Sequence, residues 1–210
     1  KQKLVEVQRA VARSKLAGAA RTRGGFWEWG AVVAEKVPGL PLQSIIMKAA
    51  LLPGYADHEG LQKSARATGE WLRNFHKTMS EGLMALDTRA ILADLETVSK
   101  ACKREGLEDR DIQLILAGAE QSLVKVKKTT PASAVLHEFS PLNVSLCEGQ
   151  VFLSDYSAME ATGMALLDVG HFMAAIEALE KYPFCNREIT SSMQEDFLTG
   201  YGVTASDRTV

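Results

Sequence analysis

A short β-hairpin with polar residues at its open end is the feature that most constrains this sequence. Val144 and Leu146 alternate with polar residues, the segment 148–150 predicts a turn, and Val151 and Leu153 resume the alternation. We predict that the rest of the chain is organised around the stretch 134–174, which has this hairpin at its centre.

The open end of this hairpin carries a possible site for a hard cation. If the turn centres on Gly149, residues whose numbers sum to 298 face each other, and Asn143 then lies opposite Asp155. Facing residues sit about 4.5–5.5 Å apart at Cβ, so an amide and a carboxylate oxygen could reach one Mg²⁺ at roughly 2.0–2.1 Å. Glu138 adds a second carboxylate five residues earlier. An ordinary turn with satisfied polar ends is the alternative interpretation.

An acid, an amide and a second acid are what phosphoryl transfer needs. One carboxylate orients the attacking hydroxyl, while an Asn and an Asp hold the metal that neutralises phosphate charge. On this interpretation Glu138 and Asn143 are catalytic, and Asn143 and Asp155 bind the metal.

Four motifs, in order and at consistent spacing, resemble the aminoglycoside phosphotransferase-like (kinase-like) family. The segment EFSPLN (138–143) is similar to the family's H-G-D-F-x-P-x-N catalytic loop, and LSDY (153–156) is similar to its metal-binding aspartate strand. Segment 163–170 resembles its G-x-x-x-x-D-L segment, and FLTGY (197–201) resembles its F-L-x-G-Y helix. The resemblance implies an α+β, protein-kinase-like fold, with a mostly helical C-terminal lobe around a catalytic hairpin. It also implies that Asp168 is buried and holds the catalytic loop.

The catalytic-loop motif departs from the family pattern at three positions. Leu136, His137 and Glu138 stand where the family has His, Gly and Asp. A Glu carries one more methylene than an Asp, so its carboxylate must retract or shift to do the same work. A displacement of about 1 Å can lower a rate roughly 10²-fold.

The stretch WGAVVAEKV (29–37), followed by PGLPL (38–42), is similar to the family's hinge, a strand that ends in a turn before a helix. The resemblance implies that the backbone of Glu35, Lys36 and Val37 hydrogen-bonds the adenine of ATP. Taken alone, the stretch predicts an edge strand with a turn.

Amphipathic periodicity predicts most of the remaining chain to be helical. The predicted helices span 3–20, 61–77, 87–104, 108–128, 166–179 and 188–200, with a break at 21–25. GEWLRNFH (69–76) resembles the family's G-x-W-L-x-x-x-H helix. We interpret His76 as a structural histidine, because no other His, Cys or Asp stands at metal-ligand spacing from it.

Composition narrows the class of protein. The chain has 210 residues, 46% of them hydrophobic, and no apolar run approaches the roughly 20 residues that span a bilayer. Three widely separated cysteines predict neither disulfides nor a zinc site, so we expect a cytoplasmic protein. Residues 129–210 carry eleven acidic and three basic side chains. This bias fits solvated helix faces, or a metal site and a cationic substrate, and it argues against nucleic acid as a partner.

Two functions from different classes remain open. The first is a phosphotransferase that uses ATP and Mg²⁺ on the hydroxyl of a small molecule, such as an amino sugar, a saccharide or an amino alcohol. The second is a kinase-like binding domain without turnover. We find no Gly-rich phosphate loop and no phosphate-contacting Lys. We therefore expect 1–37 to be the remnant of an N-terminal lobe that is largely missing, and 38–210 to be the C-terminal lobe, in a fragment or a truncated protein.

Overall fold

The chain forms two compact units that mix helices and strands. The computed structural model describes residues 16–19, 22–26, 28–29, 31–52, 57–183 and 185–203. Among these, the larger unit comprises the residues up to Gly82 and those from Pro131 onward, and the smaller unit comprises Leu83–Thr130. No helix within the described ranges combines the length and the apolar character needed to cross a membrane.

The smaller unit is built on two helices, α3 (Thr88–Arg104) and α4 (Asp109–Lys125). The carboxylate of Asp87 caps α3 by accepting hydrogen bonds from the backbone N–H groups of the second and third residues after it, at 3.1 and 3.0 Å. Both helices were predicted from periodicity, although α4 ends three residues before the predicted boundary.

Among its described residues, four helices carry the core of the larger unit. They are α1 (Leu42–Leu51), α2 (His58–Thr78), α5 (Leu166–Leu179) and α6 (Arg187–Tyr201). Their positions confirm the helices predicted over 61–77, 166–179 and 188–200, with α2 starting three residues earlier. Together they surround fully buried aromatic and aliphatic side chains, among them Leu42, Ile46, Leu72, Phe75, Phe139, Phe172, Met193 and Phe197.

In the part of the chain that the structure describes, eight short strands form three small sheets. The strands are β1 (Thr22–Phe26), β2 (Ala31–Ala34), β3 (Leu40–Pro41), β4 (Ser80–Ala85), β5 (Thr129–Val135), β6 (Val144–Cys147), β7 (Gln150–Leu153) and β8 (Glu160–Met164). The sheet orders are β1–β2, β3–β6–β7 and β4–β5–β8. The second sheet contains the predicted hairpin, and the strand β5 of the third sheet leads into the predicted catalytic loop.

The hairpin is present, but its predicted register is wrong by one residue. Val144 pairs with Leu153 and Cys147 pairs with Gln150, so the numbers of facing residues sum to 297. The turn contains only two residues, Glu148 and Gly149, both at positive φ (50° and 76°). Such a turn matches the right-handed twist of the flanking strands. The prediction had placed Gly149 alone at the centre of a three-residue turn.

The register change gives Asn143 a different neighbour. Its carbonyl oxygen accepts hydrogen bonds from the backbone N–H and the hydroxyl of Ser154, each at 3.0 Å. Asp155 therefore follows the residue opposite Asn143 instead of facing Asn143 directly, which corrects the predicted pair.

The segment before β1 also differs from its prediction. Residues 16–19 are not helical: the carbonyl of Gly18 accepts a hydrogen bond from Leu153 N at 3.0 Å, and Ala19 forms a bridge with the same residue. Gly18 adopts φ +85°, and a Cβ there would collide with the carbonyl oxygen of Val151. The rest of the helix predicted over 3–20 lies outside the described residues. The predicted break at 21–25 falls almost entirely within β1, which pairs with β2.

Helices α2 and α6 cross at backbone-to-backbone distance. A Cβ on Gly69 of α2 would overlap the carbonyl oxygen of Phe197, and one on Gly200 of α6 would overlap the carbonyl oxygen of Arg66. On the rim of the crossing, Arg66 donates a hydrogen bond to Asp196 at 2.7 Å. Only glycine permits this approach, so the crossing fixes the two helices in one relative position.

We expect Gly69→Ala to lower the free energy of unfolding by about 1–3 kcal/mol, because the new methyl group must push apart two rigid backbones. Urea titration followed by circular dichroism measures this change. Gly170→Ala is the matched control: it is also a helical glycine of the larger unit, but a Cβ there meets nothing within 4 Å. This control should gain about 0.5–1 kcal/mol. Equal effects of the two substitutions would contradict the close crossing.

Candidate active site

The predicted catalytic loop, residues 136–143, leaves the end of β5 and is anchored by one aromatic ring. Phe139 is fully buried, with its ring centroid 5.9 Å from that of Trp71 and 5.6 Å from that of Phe172. Phe172 in turn stacks on Phe197 at 4.1 Å. Helices α2, α5 and α6 therefore all contact the loop through this residue, and the neighbouring Glu138 remains exposed.

The carboxylate of Asp168 binds the backbone at the start of the loop. It accepts hydrogen bonds from Leu136 N at 2.8 Å and from His137 N at 2.8 Å, and its side chain is fully buried. Asp168 lies in the first turn of α5, where the helix dipole favours a negative charge. Hydrogen bonds from backbone N–H groups to a buried carboxylate are among the stronger ones in proteins. The contact therefore fixes the direction in which the loop leaves β5.

A chain of hydrogen bonds continues from Asp168 to the end of α6. His76 Nε2 lies 3.0 Å from Asp168 Oδ2, and His76 Nδ1 lies 2.9 Å from the hydroxyl of Tyr201. Burial, and then the charge of Asp168, raise the pKa of Tyr201 to about 12, so its hydroxyl keeps its proton. The phenol can then donate to Nδ1 while Nε2–H donates to the carboxylate. Both ring nitrogens of His76 are engaged within the protein.

Asn143 links the two ends of the loop. Its side-chain Nδ2 donates a hydrogen bond to the carbonyl oxygen of Glu138 at 3.0 Å. Nδ2 is used in this contact, and the side-chain oxygen Oδ1 of Asn143 remains as a possible ligand atom. Since its backbone carbonyl is bound by Ser154, Asn143 joins the loop to the open end of the hairpin.

Asp155 is the nearest carboxylate after the hairpin. It is exposed, and its Oδ1 accepts a hydrogen bond from Ser157 N at 2.7 Å, which leaves Oδ2 available. Among the described residues, no group of three His, Cys, Asp or Glu side chains could hold a metal ion. Mg²⁺ is commonly bound by one or two carboxylates together with substrate phosphates and water, so an amide oxygen and one carboxylate fit this ion.

Comparison with known proteins establishes what the fold resembles. No protein-family model matches the chain, and no curated protein matches it in sequence. Solved structures do match in shape. A glucosamine kinase superimposes with a TM-score of 0.69 at 15% sequence identity, covering 94% of this chain and 56% of that one. The chain has an aminoglycoside phosphotransferase-like, kinase-like fold.

Two aminoglycoside phosphotransferases support the same conclusion. The gentamicin complex of APH(2")-IIa gives a TM-score of 0.59 at 14% identity over 98% of this chain and 67% of that one. An aminoglycoside-3'-phosphotransferase of type VIII gives 0.53 at 18% identity over 99% and 77%. This chain spans a little over half the length of the glucosamine kinase that it matches.

Within this kinase-like fold, the predicted adenine-binding segment has no regular secondary structure. Residues 35–37 connect β2 to the short strand β3, which pairs with β6 of the hairpin. Gly39 makes the turn possible, since it has φ +89° and a Cβ would meet the carbonyl oxygen of Leu146. The carboxylate of Glu35 forms an ion pair with Arg23 of β1. This ion pair occupies the side chain of Glu35, whereas the predicted adenine contacts use the backbone.

Two residues of the candidate site were not predicted from the sequence. Tyr201 was seen only as part of a motif, although its hydroxyl contacts His76. His137 was counted only as a departure from the family pattern, yet it has φ +61° and a side chain directed at Glu160. The signal for His137 was its position, because a side chain replaces the glycine that the family pattern has there.

We expect Asp168→Ala to lower the free energy of unfolding by about 3–5 kcal/mol, because the backbone N–H groups of two loop residues and the imidazole of His76 lose their acceptor. Asp155→Ala is the matched control, since this aspartate is exposed and accepts one hydrogen bond from an adjacent turn. It should lose about 1 kcal/mol or less. Urea titration of both variants tests the difference, and an Asp168→Ala variant as stable as wild type would remove Asp168 from its anchoring role.

Proposed function

We propose that this chain belongs to a small-molecule phosphotransferase that transfers the γ-phosphoryl group of ATP to a substrate hydroxyl. One observation carries the proposal: an exposed carboxylate, Glu138, sits on a loop whose backbone is bound on both sides. Asp168 accepts hydrogen bonds from the two residues before Glu138, and Asn143 donates one to the carbonyl of Glu138 itself. Phosphoryl transfer depends mostly on such positioning, because the protein forms few bonds in the reaction.

In the proposed mechanism, the Glu138 carboxylate orients the acceptor hydroxyl and accepts its proton as the oxygen attacks the γ-phosphorus. The leaving group is ADP. Asn143 Oδ1 and the free oxygen of Asp155 would hold Mg²⁺, which neutralises charge on the phosphate oxygens when it is bound. The residues of the chain thus divide into one that handles the hydroxyl and two that hold the metal.

The nucleotide side of the site is proposed from the family resemblance. The backbone of residues 35–37 would bind adenine, and 1–37 would belong to an N-terminal lobe. Among the solved structures of similar fold, one glucosamine kinase is in complex with glucosamine, ADP and inorganic phosphate. The acidic bias of residues 129–210 favours a cationic substrate such as an amino sugar.

A second function, a kinase-like binding domain without turnover, is favoured by a different observation. The loop carries Leu136, His137 and Glu138 where the family has His, Gly and Asp. A longer acid places its carboxylate differently, and even small displacements slow a reaction strongly. Such a domain would bind the Mg²⁺–nucleotide complex through Asn143 and Asp155 without transferring a phosphoryl group.

Substitution of Glu138 tests the proposed reaction. If Glu138 is the base, Glu138→Asp should preserve or raise phosphotransfer, and Glu138→Gln should lower kcat roughly 10²-fold or more by removing the proton acceptor. ADP release is measured against a panel of aminoglycosides, sugars and amino alcohols, with protein expressed from the complete coding sequence. Glu148→Gln, in the hairpin turn, is the matched control and should leave kcat unchanged. A Glu138→Gln variant as active as wild type would exclude Glu138 as the base.

Binding of Mg²⁺ and ATP separates the two functions. Ligands that bind only the native state stabilise it, by about 2.7 kcal/mol at a hundredfold excess over Kd. We therefore expect Mg²⁺ with ATP to raise the melting temperature of wild type, and Asp155→Ala to lose the Mg²⁺-dependent part of that rise. Equal rises in both proteins would contradict the metal site. A normal rise without any ADP release would favour the binding domain.

A further inference from the structure

His137 adopts a backbone conformation that side chains rarely take. Its φ of +61° lies in the left-handed region, where a residue with a Cβ is strained. Strained residues of this kind persist only where the surrounding contacts over-determine them. The contacts of His137 therefore show what keeps this residue where the family pattern has glycine.

Three contacts from two elements hold His137. Its backbone N–H donates to Asp168 Oδ1 at 2.8 Å, and its ring lies with its centroid 6.3 Å from that of His171, also on α5. Its Nε2 lies 3.2 Å from Glu160 Oε2 on β8. This last contact is within ion-pair distance, although among the described residues the buried Nε2 atom makes no hydrogen bond of acceptable geometry.

A β-bulge brings Glu160 to this position. Ser133 pairs with Gly163, but Val135 pairs with Glu160, so β8 contains one more residue than β5 between these two pairs. A bulge bends its strand and turns a side chain in a new direction. Glu160 thus lies beside the last residue of β5, two positions before His137, and reaches the imidazole across the start of the loop.

We propose that His137 is a positioning residue for Glu138, acting through its contact with Glu160; this proposal rests on the proposed function of Glu138 as the base. The peptide that joins residues 137 and 138 has a direction set by the left-handed conformation of His137. The carbonyl of Glu138 is bound by Asn143, so the backbone of Glu138 is fixed from both sides. Since the glutamate side chain is longer than aspartate, its carboxylate reaches the correct point only from a correctly placed backbone.

If His137 positions Glu138, substitution of His137 should lower kcat without lowering the stability of the fold. In His137→Gly, glycine can adopt the left-handed conformation without strain, but Glu160 no longer holds it there. The two side chains of the lost contact are 31% and 53% exposed, so the contact stabilises the fold only weakly. We expect little change in the urea midpoint, an unchanged KM for ATP, and a kcat roughly ten- to a hundredfold lower. Glu160→Gln should lower kcat in the same way, and the double variant should be no slower than the slower single variant, because both substitutions break one contact.

Glu148→Gly is the matched control. It also replaces a non-glycine residue at positive φ, in the turn between β6 and β7, and should leave kcat unchanged. An unchanged kcat in His137→Gly, with Glu138→Gln inactive, would overturn the positioning role alone. The positioning role would also be overturned if the fold decreases in kcat of His137→Gly and Glu160→Gln multiplied in the double variant. The two residues would then act separately. No turnover by wild type would overturn the proposed function and, with it, the role of His137.

Discussion

The hydrogen bonds from the loop backbone to the Asp168 carboxylate are the interaction on which the rest of the site depends. A buried carboxylate is tolerated only when hydrogen-bond donors compensate its charge. Here two backbone N–H groups at the start of the loop and the imidazole of His76 provide them. The requirement works in both directions: the loop needs the acid for its direction, and the acid needs the loop for its burial. Removing either leaves the other unsatisfied in the protein interior.

The network around Asp168 also connects elements that are distant in sequence. His76 lies on α2, Asp168 on α5 and Tyr201 on α6, and the loop adds β5. The buried ring of Phe139 joins the same helices by apolar contact, one residue after the exposed Glu138. Polar and apolar contacts thus hold the same short segment from its two sides. An exposed side chain can therefore have a defined position, because its neighbours in the chain are rigid.

The sequence predicted the helices α2 to α6 well and the hairpin register poorly. Helical periodicity is read over ten or more residues, so one atypical side chain changes little, and α5 was predicted at its observed bounds. A hairpin register depends on one or two turn residues. Glutamate rarely adopts a positive φ, so the positive φ of Glu148 was not predicted. Because of this turn conformation, Asn143 is paired with Ser154 and not with Asp155. The segment at 16–19 was mistaken for helix because its contacts with Leu153 are long-range and made by backbone atoms.

The crossing of α2 and α6 has a consequence for how proteins of this shape can be recognised. The closest contacts of the crossing are made by peptide groups. In the sequence, the only sign of these contacts is a glycine on each helix, Gly69 and Gly200. Main-chain atoms are the same in every protein, so such a contact can be shared by chains that have few amino acids in common. At 15% identity, the glucosamine kinase and this chain still superimpose over 94% of its length. Two chains can therefore share a fold even when few of their amino acids are identical.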